Sequence, residues 1–310
     1  MSIVKDMAIL MQRWREQPML FMKQVLNVKQ LWSMQSDLCN CLNRAIAENK
    51  PIYVASGNGL GKDVICSMVA LWFLICFNKS KVILTAPSSR QVEKIMYGYV
   101  KKNWDDRNFK DIIKGIPYTS PRIDIDSKDH YLMGFTTKES SGSAGSRFRG
   151  IHSDNMCVIV SEAQGIEPQI FDQIKAITTG KNNLVIYIGN PTRAVGNFAA
   201  GLKNKTDNIV FNVSCMDNPN YKQRKVVIPG LTTYEWVEAR RKDWGEKDAR
   251  WQANVLGKIP DSSINTILSQ DLINTNIKGL REVSQYHPNI RITSGDFARF
   301  GDDDTCIYNF

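Results

Sequence analysis

No apolar run in this sequence is long enough to cross a bilayer as a helix, which takes about 20 residues. The longest, Val64 to Phe77, ends at Asn78-Lys79. The first residues carry Lys5, Asp6, Arg13, Arg15 and Glu16 among apolar neighbours, so they lack the unbroken core of a secretory signal. Cysteine occurs seven times, but in no pattern that binds metal. Cys39 and Cys41 stand too close together and have no second pair at zinc-site spacing, while Cys66, Cys76 and Cys157 sit inside apolar runs. That distribution fits reduced, mostly buried thiols. Internal repeats and low-complexity tracts are also absent, which leaves a globular chain rather than a repeat array.

Acidic residues are the minority: 31 Asp and Glu stand against 40 Lys and Arg, for a net charge of +9. Such a balance suits a polyanionic partner and says nothing about fold. The basic clusters Lys101-Lys102, Arg147/Arg149, Lys222/Arg224/Lys225 and Arg240-Arg241-Lys242 are each compatible with a solvated face or with contact to DNA or RNA. The chain of 310 residues, 43% hydrophobic, can bury a sizeable core in one or two domains.

What is present begins with Tyr53-Val-Ala-Ser-Gly-Asn-Gly-Leu-Gly-Lys-Asp63. Ile52 to Ala55 reads as a buried strand, and Val64 to Phe77 as a buried helix. Between them lie Ser56, Gly57, Asn58, Gly59, Leu60, Gly61, Lys62 and Asp63. Strand, glycine loop, lysine, helix is the order of a phosphate-binding loop, in which backbone N–H groups and the helix N-terminus surround phosphate oxygens. Upstream, Trp32 and Gln35 precede a helical stretch, Leu38 to Ile46. An amide there can both donate to and accept from an adenine edge, or simply sit on the helix surface. Residues 1–30 carry helical spacing broken at Pro18 and form a candidate helical lid.

Downstream, short apolar runs alternate with helical patterns. Lys81 to Pro87 is a strand followed by Ser88, Ser89, Arg90 and Gln91, polar residues at the end of a strand, where ligands are met in open α/β sheets or where a helix is capped. Tyr131 to Thr137, Met156 to Val160, Leu184 to Ile188 and Ile209 to Val213 are further strands. Between the first two lies a loop of small residues, Glu139 to Gly150, carrying Arg147 and Arg149. Ser161 and Glu162 end the second, and Gly189-Asn190-Pro191 ends the third. A carboxylate at such a tip can orient a water beside an outer phosphate. Thr232 to Leu256 is helical with Trp236, Trp244 and Trp251 as core aromatics. Repeated strand–turn–helix units predict an α/β fold with a mainly parallel sheet and helices on both faces.

In order and spacing these motifs resemble the large terminase subunit of tailed bacteriophages, from about Trp32 to the end. The resemblance implies an ASCE/RecA-like P-loop NTPase domain over residues 1–260, a linker over 261–287, and over 288–310 the start of an RNase H-like nuclease domain. It implies ATP and Mg²⁺ as ligands, and sequence-independent double-stranded DNA, a portal protein and a small terminase subunit as partners. It also implies a homo-oligomeric ring when active, in the host cytoplasm. Ser56 to Lys62 resembles the Walker A loop, and Val158 to Ile166 resembles Walker B followed by the catalytic Glu, Glu162. Asn190 falls in the coupling motif, Trp32 and Gln35 in the adenine-binding segment, and Arg149 at an arginine-finger position for which Arg147 competes. Asp296 resembles the first nuclease metal ligand. With that site incomplete and Asp302, Asp303 and Asp304 read as turn residues, no DNA cleavage is expected from residues 1–310.

Two positions depart from the family pattern. Walker A ends in Lys62-Asp63 where Lys-Thr or Lys-Ser is usual, and Walker B ends in Ser161-Glu162 where Asp-Glu is usual. Mg²⁺ takes oxygen ligands in near-octahedral order, whichever element brings them. The expectation is an exchange, with Asp63 bringing the carboxylate from the loop and Ser161 the hydroxyl from the strand; decay of the site is the alternative. The function expected is an ATP-hydrolysing motor that moves viral DNA into a procapsid. A helicase-like translocase and a hydrolytically silent nucleotide-binding remnant are the rivals.

Overall fold

The computed structural model of the chain describes residues 2–125, 127–137 and 146–260, together with two strands further on, 293–296 and 306–309. It divides into two units, Met1–Pro260 and Asp261–Phe310. In the first, helix α1 (Ser2–Glu16) stops before Pro18, whose ring cannot continue a helix but can start one, and α2 (Pro18–Gln24) begins on it. Trp14, Phe21 and Met22 from these helices are buried, and Trp72 Nε1 donates to Trp14 O at 2.9 Å. The candidate lid of residues 1–30 is therefore seated by buried apolar side chains. Next come α3 (Ser33–Glu48) and β1 (Ile52–Ser56), and then α4 (Lys62–Cys76). Ile65 to Ile75 of α4 are all buried, because a helix that is apolar all round has no face to give to water.

The remaining elements of the first unit follow in order. They are β2 (Lys81–Ala86), a π-helical turn (Gln91–Met96), α5 (Tyr97–Asp106), β3 (Ile116–Pro117), β4 (Arg122–Asp124) and β5 (Tyr131–Thr136). Then come β6 (Asn155–Val160), α6 (Pro168–Ile177), β7 (Asn182–Gly189), α7 (Asn197–Lys203) and β8 (Ile209–Val213). Three helices close the unit: α8 (Pro219–Lys222), α9 (Tyr234–Trp244) and α10 (Ala249–Asn254). The helical pattern read over 232–256 is two helices, parted at Gly245, whose φ of 77° is one that L side chains rarely adopt.

Eight strands form one sheet in the order β3-β4-β5-β2-β6-β7-β1-β8. From β5 to β8 every pairing is parallel, as the near-continuous apolar runs predict for strands covered on both faces. Side chains alternate between the faces. Ile52 and Val54 enter a core with α3 and α4, while Tyr53 and Ala55 enter a second core with Phe171 of α6 and Phe198 of α7. β3 and β4 add an antiparallel edge, two and three residues long. Because the six longer strands are parallel, their C-terminal tips share one edge of the sheet, where α/β folds bind ligands.

In the second unit β9 (Thr293–Asp296) pairs antiparallel with β10 (Cys306–Asn309), and Asp296 stands opposite Cys306. The other residues of the expected linker and nuclease start, Asp302, Asp303 and Asp304 among them, lie outside the described residues.

Candidate active site

The loop after β1 is shaped by three glycines. Gly59 and Gly61 have φ of 64° and 75°, which residues with a Cβ rarely adopt. Gly57 is required by space: a Cβ there would lie 2.5 Å from Cys215 Sγ and 2.7 Å from Val255 O. The loop is braced from behind by segments distant in sequence. Gly57 N donates to Val213 O at 2.9 Å, Asn58 N to Asn254 O at 2.8 Å, and Thr232 N to Gly59 O at 2.9 Å. The Thr232 hydroxyl donates to Asn58 O. Trp32 Nε1 donates to Leu60 O at 3.2 Å, and the buried Gln35 sends Nε2 to Gly61 O and receives Trp32 N on Oε1, both at 3.4 Å. With the carbonyls of Asn58 to Gly61 engaged in this way, the first N–H groups of α4, which have no intrahelical acceptor, are left to bind an anion. Cys215, beneath the loop, is a neutral filler, since burial pushes its thiol up to about 12.

Lys62 opens α4 and is 8% exposed. Its Nζ donates to Asn190 Oδ1 at 3.0 Å, and Asn190 Nδ2 donates to Asn58 Oδ1 at 2.8 Å. Among the described residues no carboxylate forms an ion pair with this ammonium. Burying a charge is costly unless it is paired, so the position is built for an anion that comes from outside.

Asp63 does not pair with Lys62; it faces the tip of β6. Ser161 Oγ donates to Asp63 Oδ1 at 2.7 Å. Gln91, from the turn after β2, sends Nε2 to Asp63 Oδ1 at 3.1 Å and to Ser161 Oγ at 2.8 Å. Carboxylate, hydroxyl and amide from three elements meet at one point. The carboxylate and the hydroxyl among them offer oxygens, and these fit Mg²⁺, which keeps several waters and is usually bound through one or two carboxylates plus substrate phosphates. Among the described residues no cluster of three or more His, Cys, Asp or Glu could hold a metal. Cys66, one turn along α4, is pushed well above its ordinary value by burial first and by Asp63 second.

Glu162 follows Ser161 with φ 52° and ψ 45°, a left-handed conformation that costs a side-chain-bearing residue about 1–2 kcal/mol. Its Oε2 accepts from Gln164 Nε2 at 2.6 Å. Gln164 Oε1 is buried without a partner and lies where a side chain on Gly189 would stand, 2.1 Å from a Cβ there. Loop, Lys62, Asp63, Ser161, Glu162 and Asn190 are thus gathered at one edge of the sheet, with Gln35 behind the loop.

Arg147 and Arg149 are exposed on either side of the buried Phe148, which packs edge-on against Phe135 at 4.9 Å. Arg149 makes no hydrogen bond or ion pair to the loop among the described residues. Asp296 ends β9 in the second unit. A cavity of about 680 Å³ lined by Tyr53, Phe171, Asn183 and Tyr187 lies on the α6–α7 side, near the start of β1 and β7 rather than their tips. Sequence reasoning missed Thr232, Cys215 and Gln164, and it noted Gln91 without its partners; Thr232, Cys215 and Gln91 lie far in sequence from the loop or strand tip they touch.

One strand, β7 with Asn190 just beyond its end, separates the loop strand β1 from β6 and its acidic tip. That order, with a glycine loop running into a buried helix, is the arrangement of a RecA-like α/β fold with an additional central strand. No family model matches the chain. In sequence it is similar to the "Probable terminase, large subunit" of Enterobacteria phage P7, 23% identical over 230 residues, 70% of this chain and 44% of that protein. In fold it is similar to the large terminase of the thermophilic bacteriophage D6E in complex with ADP, with a TM-score of 0.55 and 13% identity over 74% of this chain and 54% of that one. It is also similar to the Thermus phage P74-26 large terminase ATPase domain, with a TM-score of 0.50 and 16% identity over 74% of this chain and 94% of that domain. The likeness to large terminases thus holds in sequence and in fold, and the chain spans about 44% of the curated relative it matches.

Proposed function

We propose that this chain is an ATP-hydrolysing motor that moves double-stranded viral DNA into a procapsid. The observation that carries this reading is Lys62: a nearly buried ammonium at a helix N-terminus, with no carboxylate paired to it among the described residues, beside a glycine loop. A triphosphate supplies the missing charge. Its outer oxygens take Lys62, in competition with Asn190, and the first N–H groups of α4. That the D6E relative was solved with ADP supports a nucleotide in this place.

Each residue then has a task. Ser161 donates its hydroxyl hydrogen bond to Asp63, which turns an oxygen lone pair outward, and Asp63 keeps a second carboxylate oxygen for the same purpose. Together they would hold Mg²⁺, which supplies neutralisation of charge on the β- and γ-phosphate oxygens. The direct bond between Asp63 and Ser161 supports the exchange of ligands between loop and strand. Glu162 accepts a proton of the attacking water and aims it along the line of displacement. Asn190, bonded both to Lys62 and to Asn58, registers whether the outer phosphate is there. Gln35 lies against Gly61 through bonds long enough to trade for an adenine edge. Arg149, with Arg147 as its competitor, is placed on an exposed turn from which it would reach the site of a neighbouring subunit in a ring. Exposed basic residues would hold the DNA backbone without reading its sequence, so activity on DNA should fall steeply with salt. Portal protein and small terminase subunit are the partners proposed, in the host cytoplasm.

The test is ATP turnover with and without double-stranded DNA, for the wild type and Glu162→Ala. DNA-stimulated turnover that Glu162→Ala abolishes supports the motor. Strand separation on a forked duplex would assign a helicase instead, and ATP binding without turnover would assign a nucleotide-held assembly role.

A further inference from the structure

Gln91 has a place in the site that neither loop nor strand tip explains. It opens the π-helical turn Gln91–Met96, between the tip of β2 and α5. The turn is fixed by Val92 and Met96, which are 1% and 3% exposed, and Gly134 leaves room for Val92, since a Cβ there would lie 2.7 Å from Val92 Cγ1. Single π turns of this kind recur at functional positions in helices. From it the Gln91 amide spans two partners on two other elements, Asp63 Oδ1 at 3.1 Å and Ser161 Oγ at 2.8 Å. An amide NH₂ carries two hydrogens, one for each.

These bonds decide how the Asp63–Ser161 pair presents itself. Ser161 Oγ donates to Asp63 and accepts from Gln91, so its hydrogen and one lone pair are both committed. Asp63 Oδ1 accepts from both neighbours, which leaves Oδ2 and the second lone pair of Ser161 to face a cation. An Asp in the first turn of a helix has another course open to it, since it can swing onto the helix's own free N–H groups or onto Lys62. Gln91 opposes that swing. In the pattern with Thr or Ser on the loop, the carboxylate is anchored on the strand; with the carboxylate moved to the helix, a third element does the anchoring.

We propose that Gln91 is the positioning residue of the divalent-cation site: it orients Asp63 and Ser161 for the cation without being a ligand itself. The proposal rests on Asp63 and Ser161 being the cation pair. The experiment measures the affinity of a fluorescent ATP analogue in Mg²⁺ and in EDTA, for wild type, Gln91→Leu, Asp63→Asn and the double variant. Wild type should bind more tightly with Mg²⁺. Gln91→Leu should cut that Mg²⁺-dependent gain about tenfold, the lower end of what outer-shell partners of metal ligands are worth, while its affinity in EDTA stays near wild type. In the Asp63→Asn background, Gln91→Leu should add little, because Gln91 acts through Asp63. Should Gln91→Leu not fold, Gln91→Asn, an amide too short to span both partners, carries the same comparison. An unchanged Mg²⁺ gain in the Gln91 variant, an equal loss with and without Mg²⁺, or full additivity with Asp63→Asn would overturn the positioning role alone. Absence of any Mg²⁺ gain in the wild type would overturn the cation-pair reading beneath it.

Discussion

The two sides of the candidate site are built on different terms. On the loop side, Asn58, Gly59, Leu60 and Gly61 each have their carbonyl bonded to Thr232, Trp32 or Gln35, and the backbone of Gly57 and Asn58 is tied to Val213 and Asn254. On the strand side, Glu162 holds a left-handed conformation, and its carboxylate accepts a hydrogen bond from Gln164. The first side is pre-organised, as suits a cradle that must present N–H groups in a fixed array. The second stores backbone strain at the residue assigned to the attacking water, where strain is tolerated for what the side chain does there. A braced loop and a strained strand tip meet at Asp63 and Ser161.

The sharpest way to break this contrast is Glu162→Asn. Asn tolerates the left-handed region better than Glu and lacks the acid. The variant should lose about a thousandfold in ATP turnover while its melting temperature rises slightly. A fall in stability as large as the fall in turnover would mean that Glu162 is a structural residue. On the loop side the opposite sign is expected. Gly57→Ala drives a methyl into Cys215 and Val255 and should destabilise the fold by about 1–3 kcal/mol, with nucleotide affinity falling alongside. Gly98→Ala, with nothing within 4 Å of its Cβ, is the control and should be neutral or stabilising in α5.

Alkali probes the loop side through Cys215. Its thiol is pushed from 9.0 up to about 12 by burial in the fold. Above pH 9 the unfolded chain gives up this proton and the folded chain keeps it, so stability declines as pH rises from 9 towards 12. Denaturant unfolding of Cys215→Ala against wild type over that range should show a slope shallower by roughly 1.4 kcal/mol per pH unit. Equal slopes would mean that the thiol ionises as freely folded as unfolded. The smallest effect is expected from Thr232→Val, which removes one hydroxyl donor from Asn58 O at a cost of about 1 kcal/mol. A change in Mg²⁺-free nucleotide affinity should accompany it, and none would argue that the loop holds its shape without this brace.

Much of the sheet was legible as apolar runs: β1, β2, β5, β6, β7 and β8 fall on the stretches that hydrophobicity alone picks out. β3 and β4, of two and three residues, are too short to carry a period and exist because β5 offers an edge. In the site, the pairing of Asp63 with Ser161 was expected only from the resemblance, as two complementary departures from its pattern; the two residues, 98 apart, form a hydrogen bond. Thr232 and Gln91 were not legible as parts of the site. Each meets its partner across a long stretch of chain, 174 residues from Asn58 and 70 from Ser161, and a polar residue used at such a distance leaves no mark of spacing around it. Nor does the left-handed turn at Glu162 show, since Glu is among the residues least expected there.

The central claim is that the loop and the strand have traded the two halves of one cation site. The direct measurement is Mg²⁺-dependent ATP turnover of Asp63→Thr, Ser161→Asp and the two combined. Each single variant should be severely impaired, one by losing the carboxylate and the other by setting two carboxylates side by side. The double variant should recover activity well above both. Activity no higher than that of the worse single variant would contradict the account.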